Sequence, residues 1–255
     1  MLLAVDIGNT QTVLGVYEGQ TLRANWRVGT RRDATADELG VLLRALCVEA
    51  SLEPATLTDA VVSSVVPDLN RPYTEAGLRY LRTEPLFVGP GVKTGMPILY
   101  DNPHEVGADR IVNAVAAKDL HGAPVIVLDF GTATTFDVVG PGGEYLGGVI
   151  APGLGTSAEA LFQKAARLHR VDVRRPARVI GRNTEQSVQA GLFHGYVSLI
   201  EGLVSRIRGE LGSEAPVVAT GGLAPVFAHE LTFLVATDPH LTLEGLRRIW
   251  ERNRT

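Results

Sequence analysis

Two stretches decide how this chain is read: Leu2-Leu3-Ala4-Val5-Asp6-Ile7-Gly8-Asn9-Thr10-Gln11-Thr12 and Val125-Ile126-Val127-Leu128-Asp129-Phe130-Gly131-Thr132-Ala133-Thr134-Thr135. Each is an apolar run closing on Asp-x-Gly, followed by a hydroxyl-rich turn and the start of another strand. The two aspartates lie 123 residues apart in a chain of 255, close to half its length. One glycine after a strand is ordinary hairpin chemistry. Two matching ones, each opening a half, point to an internal duplication. The expected fold is α/β with two similar domains, 1–115 and 116–255.

The residues of such a turn suggest their chemistry. Gly lets the backbone come close to a ligand, and its neighbours present N–H and hydroxyl donors together, which polyphosphate oxygens require. An aspartate at the strand end can hold a hydrated cation, since Mg²⁺ favours one or two carboxylates completed by phosphate and water. Taken singly, Asp6 and Asp129 also read as Asx-turns. Other nucleotide signatures fail. Gly89-Pro90-Gly91-Val92-Lys93-Thr94 has the wrong spacing for a P-loop and contains a proline. Gly153-Leu154-Gly155-Thr156-Ser157-Ala158 fits the looser dinucleotide pattern, with Asp172 downstream. The strand before it follows a Gly-Pro-Gly-Gly hairpin, however, so it is expected to be antiparallel and outside a βαβ unit. Thr156-x-x-Glu159 reads instead as a capping box opening a helix, whose N-terminus could face an anion.

Outward from the two turns, the pattern alternates strands and helices. Thr12–Tyr17 and Leu22–Arg27 read as an antiparallel pair. A helix follows over Ala36–Ala50, with Leu39, Leu42, Leu43, Leu46 and Cys47 on one face. Asp59–Val66 reads as a buried strand stopped by Pro67, Leu69–Arg82 as a helix, and Pro85–Pro103 as an extended loop. In the second half, a helix over Glu105–Leu120 precedes strands Val125–Asp129, Thr135–Val139 and Tyr145–Ile150. Helices Ser157–Leu168 and Glu185–Leu211, strand Pro216–Thr220 and helix Leu243–Arg252 complete the chain.

Composition narrows the function classes. Hydrophobic residues make up 45%, enough for a sizeable core. A net charge of −4 argues against a dedicated nucleic-acid binder, which carries a basic stripe. The single cysteine, Cys47, rules out an internal disulfide and any multi-cysteine metal site. No apolar run approaches the roughly 18 residues of a membrane span, and the N-terminus lacks a basic signal region. A cytoplasmic enzyme is expected, with no membrane partner. The six histidines show no metal-ligand spacing.

Four motifs in this order carry a family resemblance: Asp6-Ile7-Gly8-Asn9-Thr10, Gly107-Ala108-Asp109-Arg110, Asp129-Phe130-Gly131-Thr132-Ala133-Thr134-Thr135, and Gly147-Gly148-Val149-Ile150-Ala151-Pro152-Gly153. Together they resemble type III pantothenate kinases over nearly the whole chain. The resemblance implies two similar ATPase-like domains of the actin, sugar kinase and heat-shock chaperone type. It implies Mg²⁺ with ATP, a monovalent cation (K⁺ or ammonium) and a homodimer. The implied reaction is phosphorylation of pantothenate to 4'-phosphopantothenate, at the start of coenzyme A synthesis. By position, Asp6, Ile7, Gly8, Asn9, Thr10, Gln11, Thr12 and Val13 would form the first ATP turn, with Thr132 a second ATP contact. Tyr100, Gly107, Ala108, Asp109, Arg110 and Thr184 would meet pantothenate, with Asp109 accepting the proton. Asp129 would hold the monovalent cation, and Thr220-Gly221-Gly222 resembles the superfamily's adenosine turn.

Spacing by itself leaves plainer readings beside these. Tyr100 reads as a packing residue in a Pro-rich loop, Arg110 as a helix-surface charge, and Thr184 as a helix N-cap. Arg110 also offers a substrate carboxylate bidentate geometry. The helix start at Asp109 and the neighbouring Arg110 are expected to favour the ionised carboxylate. Two alternatives of function remain: a non-catalytic, transcription-accessory protein of the same fold, and a kinase for another small hydroxy acid. A carboxylate at Asp109 beside Arg110 favours a kinase.

Overall fold

The computed structural model describes residues 1–165 and 168–254. Each half carries a five-stranded sheet. In the first, β1 (Leu2–Ile7), β2 (Gln11–Glu18), β3 (Thr21–Gly29), β4 (Asp59–Ser64) and β5 (Leu86–Phe87) run in the order β3-β2-β1-β4-β5. The β1–β2 and β2–β3 pairs are antiparallel, and β1–β4 and β4–β5 parallel. The second sheet has β6 (Val125–Phe130), β7 (Ala133–Val139), β8 (Tyr145–Pro152), β9 (Val217–Gly221) and β10 (Leu234–Thr237). Its order, β8-β7-β6-β9-β10, repeats the first, as do its pairing senses. The duplication read from two turns is a duplication of whole sheet topology.

Helices occupy matching places. α1 (Ala36–Glu49) joins β3 to β4, α2 (Asn70–Ala76) joins β4 to β5, and α3 (Ala108–His121) follows β5. In the second half α4 (Leu154–Lys164) and α5 (Thr184–Leu211) join β8 to β9, α6 (Ala224–Phe227) joins β9 to β10, and α7 (Leu241–Asn253) follows β10. By contacts, one compact unit comprises Met1–Leu120 with the residues from His240 on, and the other His121–Pro239. The C-terminal helix, which the sequence reading places in the second domain, thus packs with the first. Its apolar stripe (Leu241, Leu243, Leu246, Ile249) is fully buried. Gly15 on β2 leaves room for Leu243, and Gly245 lets α7 approach the Val112 carbonyl of α3. Arg247, 3% exposed, is held there by Glu244 and Glu251 and lies over the Tyr17 ring.

The central strands β1 and β6 share one burial pattern: every side chain is buried except the aspartate, which is half-buried. Such runs are expected of strands covered on both faces. The first core gathers Leu3, Val5, Leu14, Leu39, Leu43 and Leu57. The second is aromatic: Phe130 stacks on Phe227 at 5.5 Å, with Phe193 and Tyr196 against the same ring. α1 begins with a complete capping box, Thr35 with Glu38.

Several element ends differ from the sequence reading. β4 stops at Ser64 because Ser64 and Val66 bond to each other in a turn. The helix expected over Leu69–Arg82 is α2, extended by a wider turn, Gly77–Leu81, that ends in left-handed Arg82. The Pro-rich loop contains β5, which adds to the parallel side of the sheet. α4 starts at Leu154 with Gly153 at its cap, and the expected continuation through 166 and 167 lies outside the described residues. The Thr156–Glu159 capping box does not form, because the helix starts two residues earlier and Thr156 lies inside it; its hydroxyl donates to the Thr132 carbonyl.

Candidate functional site

In the first unit the site grows from the carboxyl ends of the parallel pair β1 and β4, where open α/β sheets bind ligands. Gly8 donates its N–H to the Gln11 carbonyl at 3.1 Å, closing a tight turn between β1 and β2. A Cβ at Gly8 would stand 2.8 Å from that same carbonyl oxygen, so the turn requires glycine. Asn9, Thr10 and Gln11 are exposed, whereas the side chains of Ile7 and Thr12 are buried beneath the turn. Asp6 faces Ser63 in register on β4, and the Ser63 hydroxyl donates to its Oδ1. Ser63 is fully buried, so it fixes the carboxylate from below.

The same end of this sheet receives the start of α3. Val65, just past β4, donates its N–H to the Ile7 carbonyl, and its side chain lies 3.6 Å from where a Gly107 Cβ would stand. That Cβ would also fall 2.5 Å from Asp109 Oδ1, so glycine at 107 makes room for the carboxylate. Asp109 Oδ1 accepts the Arg110 backbone N–H at 2.8 Å. Burial raises the Asp109 pKa above its ordinary value, outweighing the opposing backbone hydrogen bond and the charge of Arg110. The expectation of a carboxylate favoured in its ionised form is therefore corrected: desolvation wins over helix position and the neighbouring cation. Arg110 is 8% exposed, which removes its reading as a surface charge. Ala108 opens α3, and Tyr100 is half-buried in the loop before it.

The second unit repeats the turn with one residue fewer. Gly131 donates its N–H to the Ala133 carbonyl at 3.0 Å. Gly153 packs so closely beneath that a Cβ there would lie 2.4 Å from the Thr132 oxygen. Asp129 has Thr135 on β7 and Thr220 on β9 in register beside it. Gly221, at φ +90°, approaches its carboxylate so tightly that a Cβ would stand 2.5 Å from Oδ1. Asp129 is thus one carboxylate between two threonines at paired positions, and the Thr135 hydroxyl donates to Asp137. Among the described residues no three His, Cys, Asp or Glu side chains cluster, so a divalent ion would rely on phosphate and water beside a single carboxylate.

Thr184 belongs to the second unit. It is exposed at the first position of α5 and lines an open groove of about 660 Å³ with Leu161, Gly181, Arg182 and Leu192. The cap of that helix is Asn183, which accepts the Gln186 N–H, so Thr184 is not the N-cap. Sequence reasoning missed Ser63. Its only signal was the polar ending of an otherwise apolar Val-Val-Ser-Ser strand, which gains meaning once strand register is known.

The chain matches the sequence model of the type III pantothenate kinases over residues 2–206. It is 57% identical over 253 residues to the type III pantothenate kinase of Myxococcus xanthus (strain DK1622), with 99% of each chain covered. Against that of Moorella thermoacetica (strain ATCC 39073 / JCM 9320) it is 52% identical, covering 99% of this chain and all of the other. Among solved structures it is similar to a conserved protein from Campylobacter jejuni described as a Baf family transcriptional activator (TM-score 0.63, 18% identity, 98% of each chain). It is also similar to the ROK hexokinase of Thermus thermophilus (TM-score 0.50, 17% identity, 99% of each chain). These structural likenesses show the fold. The chain belongs to the type III pantothenate kinase family.

Proposed function

We propose that the Asp6–Val13 turn and Asp109 form the working centre of an ATP-dependent pantothenate kinase of coenzyme A biosynthesis. The observation that carries this reading is a carboxylate with a raised pKa, Asp109, placed at the same end of the first sheet as a glycine turn built for phosphate. Donors of the Asp6–Val13 turn hold the polyphosphate of ATP, and Thr132 adds a contact from the second turn. Gly107, Ala108, Arg110, Tyr100 and Thr184 meet pantothenate. The pantothenate hydroxyl oxygen bonds to the γ-phosphorus, the bridge to the β-phosphate breaks, and ADP leaves. Asp109 accepts the hydroxyl proton as that bond forms.

Asp6, steadied by Ser63, is the carboxylate to meet Mg²⁺ carried with the nucleotide, and Asp129 is the one to hold K⁺ or ammonium. Bound Mg²⁺ supplies charge neutralisation on the transferring phosphoryl group. Among the described residues no helix is long and apolar enough to cross a membrane, consistent with a cytoplasmic setting. The working species is a homodimer, expected to sediment at twice the 27.2 kDa of the chain, and a monomer at micromolar concentration would contradict that. A coupled assay of ADP release with pantothenate, other hydroxy acids and acetate tests the activity. Turnover confined to pantothenate is expected, and equal turnover with acetate would reject the reading.

A further inference from the structure

We infer that Thr30 and Thr156, one from each half, are positioning residues that aim the backbone N–H groups of the two nucleotide turns. The inference rests on the reading of those turns as ATP-binding. Thr30 directly follows β3, whereas Thr156 is the third residue of α4, which follows β8; in the second half the place of Thr30 is taken by Gly153. The Thr30 hydroxyl donates to the Gly8 carbonyl at 2.7 Å, and its N–H donates to the Thr10 carbonyl. The Thr156 hydroxyl donates to the Thr132 carbonyl at 2.7 Å, and the Gly153 N–H donates to the same oxygen.

In a trans peptide the carbonyl and the following N–H point in opposite directions. Anchoring the Gly8 oxygen therefore fixes the direction of the Asn9 N–H, and anchoring the Thr132 oxygen fixes that of Ala133. A second layer backs each turn. With its proton committed to Gly8, Thr30 accepts from Thr12 at 2.9 Å, and Thr12 is hydrogen-bonded to Tyr73. At the equivalent position of the second half, Thr134 bonds to Tyr196. Tyr73 and Tyr196 are both buried, at 5% and 6% exposure, so neither hydroxyl has water as an easy substitute. The two halves have kept a carbonyl anchor and a buried Thr–Tyr pair. Their turns differ by one residue in length, so the shared feature is the bracing and not the loop itself.

The test uses Thr30→Val and Thr156→Val, which keep shape and delete the hydroxyl, with Thr30→Ser and Thr156→Ser as conservative partners. For each, KM for ATP, KM for pantothenate, kcat and melting temperature are measured. Each valine variant is expected to raise KM for ATP about three- to tenfold with KM for pantothenate unchanged, and serine to restore it. A valine variant with wild-type KM for ATP overturns the inference. So does an equal rise in both KM values that follows a lowered melting temperature and that serine does not repair. Gly8→Val separates the two levels of argument. If it collapses ATP use while the threonine variants do not, the bracing alone is wrong, and if it leaves ATP use intact, the turn itself has been misread.

Discussion

The two halves differ less in their sheets than in what is inserted between equivalent elements. Both place an aspartate at the same position of the central strand with a hydroxyl in register beside it, Ser63 for Asp6 and Thr220 for Asp129. Both follow it with a glycine turn anchored from beyond the third strand. They part company at the connection into the last helix: twenty residues separate β5 from α3, and three separate β10 from α7. The long connection carries Tyr100 and Gly107 and delivers Asp109. The second half has its own unrepeated stretch between α4 and α5, ending at Thr184. The lesson is a division of labour. In the proposed function, duplicated parts serve phosphate and unduplicated parts serve the acceptor.

The largest break of this symmetry is Asp109 in the first turn of α3: the acidic residue in the first turn of α7, Glu244, is instead taken up by Arg247 and Arg248. Asp109→Asn is expected to lower kcat by about 10²–10⁴ with ATP affinity unchanged. Because burial raises this carboxyl's pKa in the folded state, its ionised form weakens stability as pH rises through that value. The neutral asparagine should therefore melt no lower than wild type near pH 7. The acid limb of kcat/KM in the wild type should lie above the ordinary aspartate value of about 3.9. A variant with normal kcat, or a limb at the ordinary value, removes Asp109 from the chemistry.

Next in size are the glycines that let each turn close. Gly8→Val forces the Gln11 carbonyl away, and loss of aligned donors is expected to cost about 10²–10³ in kcat/KM for ATP. Gly153→Ala places a Cβ against the Thr132 and Gly131 oxygens and should weaken ATP use in the same direction. Wild-type ATP turnover in both variants would show that the turns are structural hairpins. A smaller effect separates the two aspartates. Asp129→Asn should blunt activation by K⁺ or ammonium, whereas Asp6→Asn should lower the rate and leave the half-activating K⁺ concentration alone. Identical salt responses in the two variants would remove the distinction.

Much of this was legible in the sequence because it was written twice. Asp-x-Gly at Asp6 and Asp129 announced the repeat, and the apolar runs before each gave the central strands. The placement of α7 was not legible. An amphipathic helix states that it has a buried face, but not which sheet will cover it, and here Gly15 and Gly245 decide that in favour of the first unit. Asp109 was found as a residue and misjudged as an acid, since helix position and Arg110 are visible in sequence while desolvation is not. The partnership of Ser63 with Asp6 spans 57 residues and exists only through strand register. Thr156 shows the opposite failure, a local capping signal that lies inside a helix begun two residues earlier.

The division between repeated and unrepeated parts is tested most directly by measuring both Michaelis constants on four variants: Thr132→Val and Gly153→Ala in the duplicated turn, Tyr100→Ala and Thr184→Ala in the unduplicated stretches. The first pair is expected to raise KM for ATP with KM for pantothenate unchanged, and the second pair to do the reverse. If the turn variants shift pantothenate, or the Tyr100 and Thr184 variants shift ATP to the same degree, the two halves do not divide the work in this way.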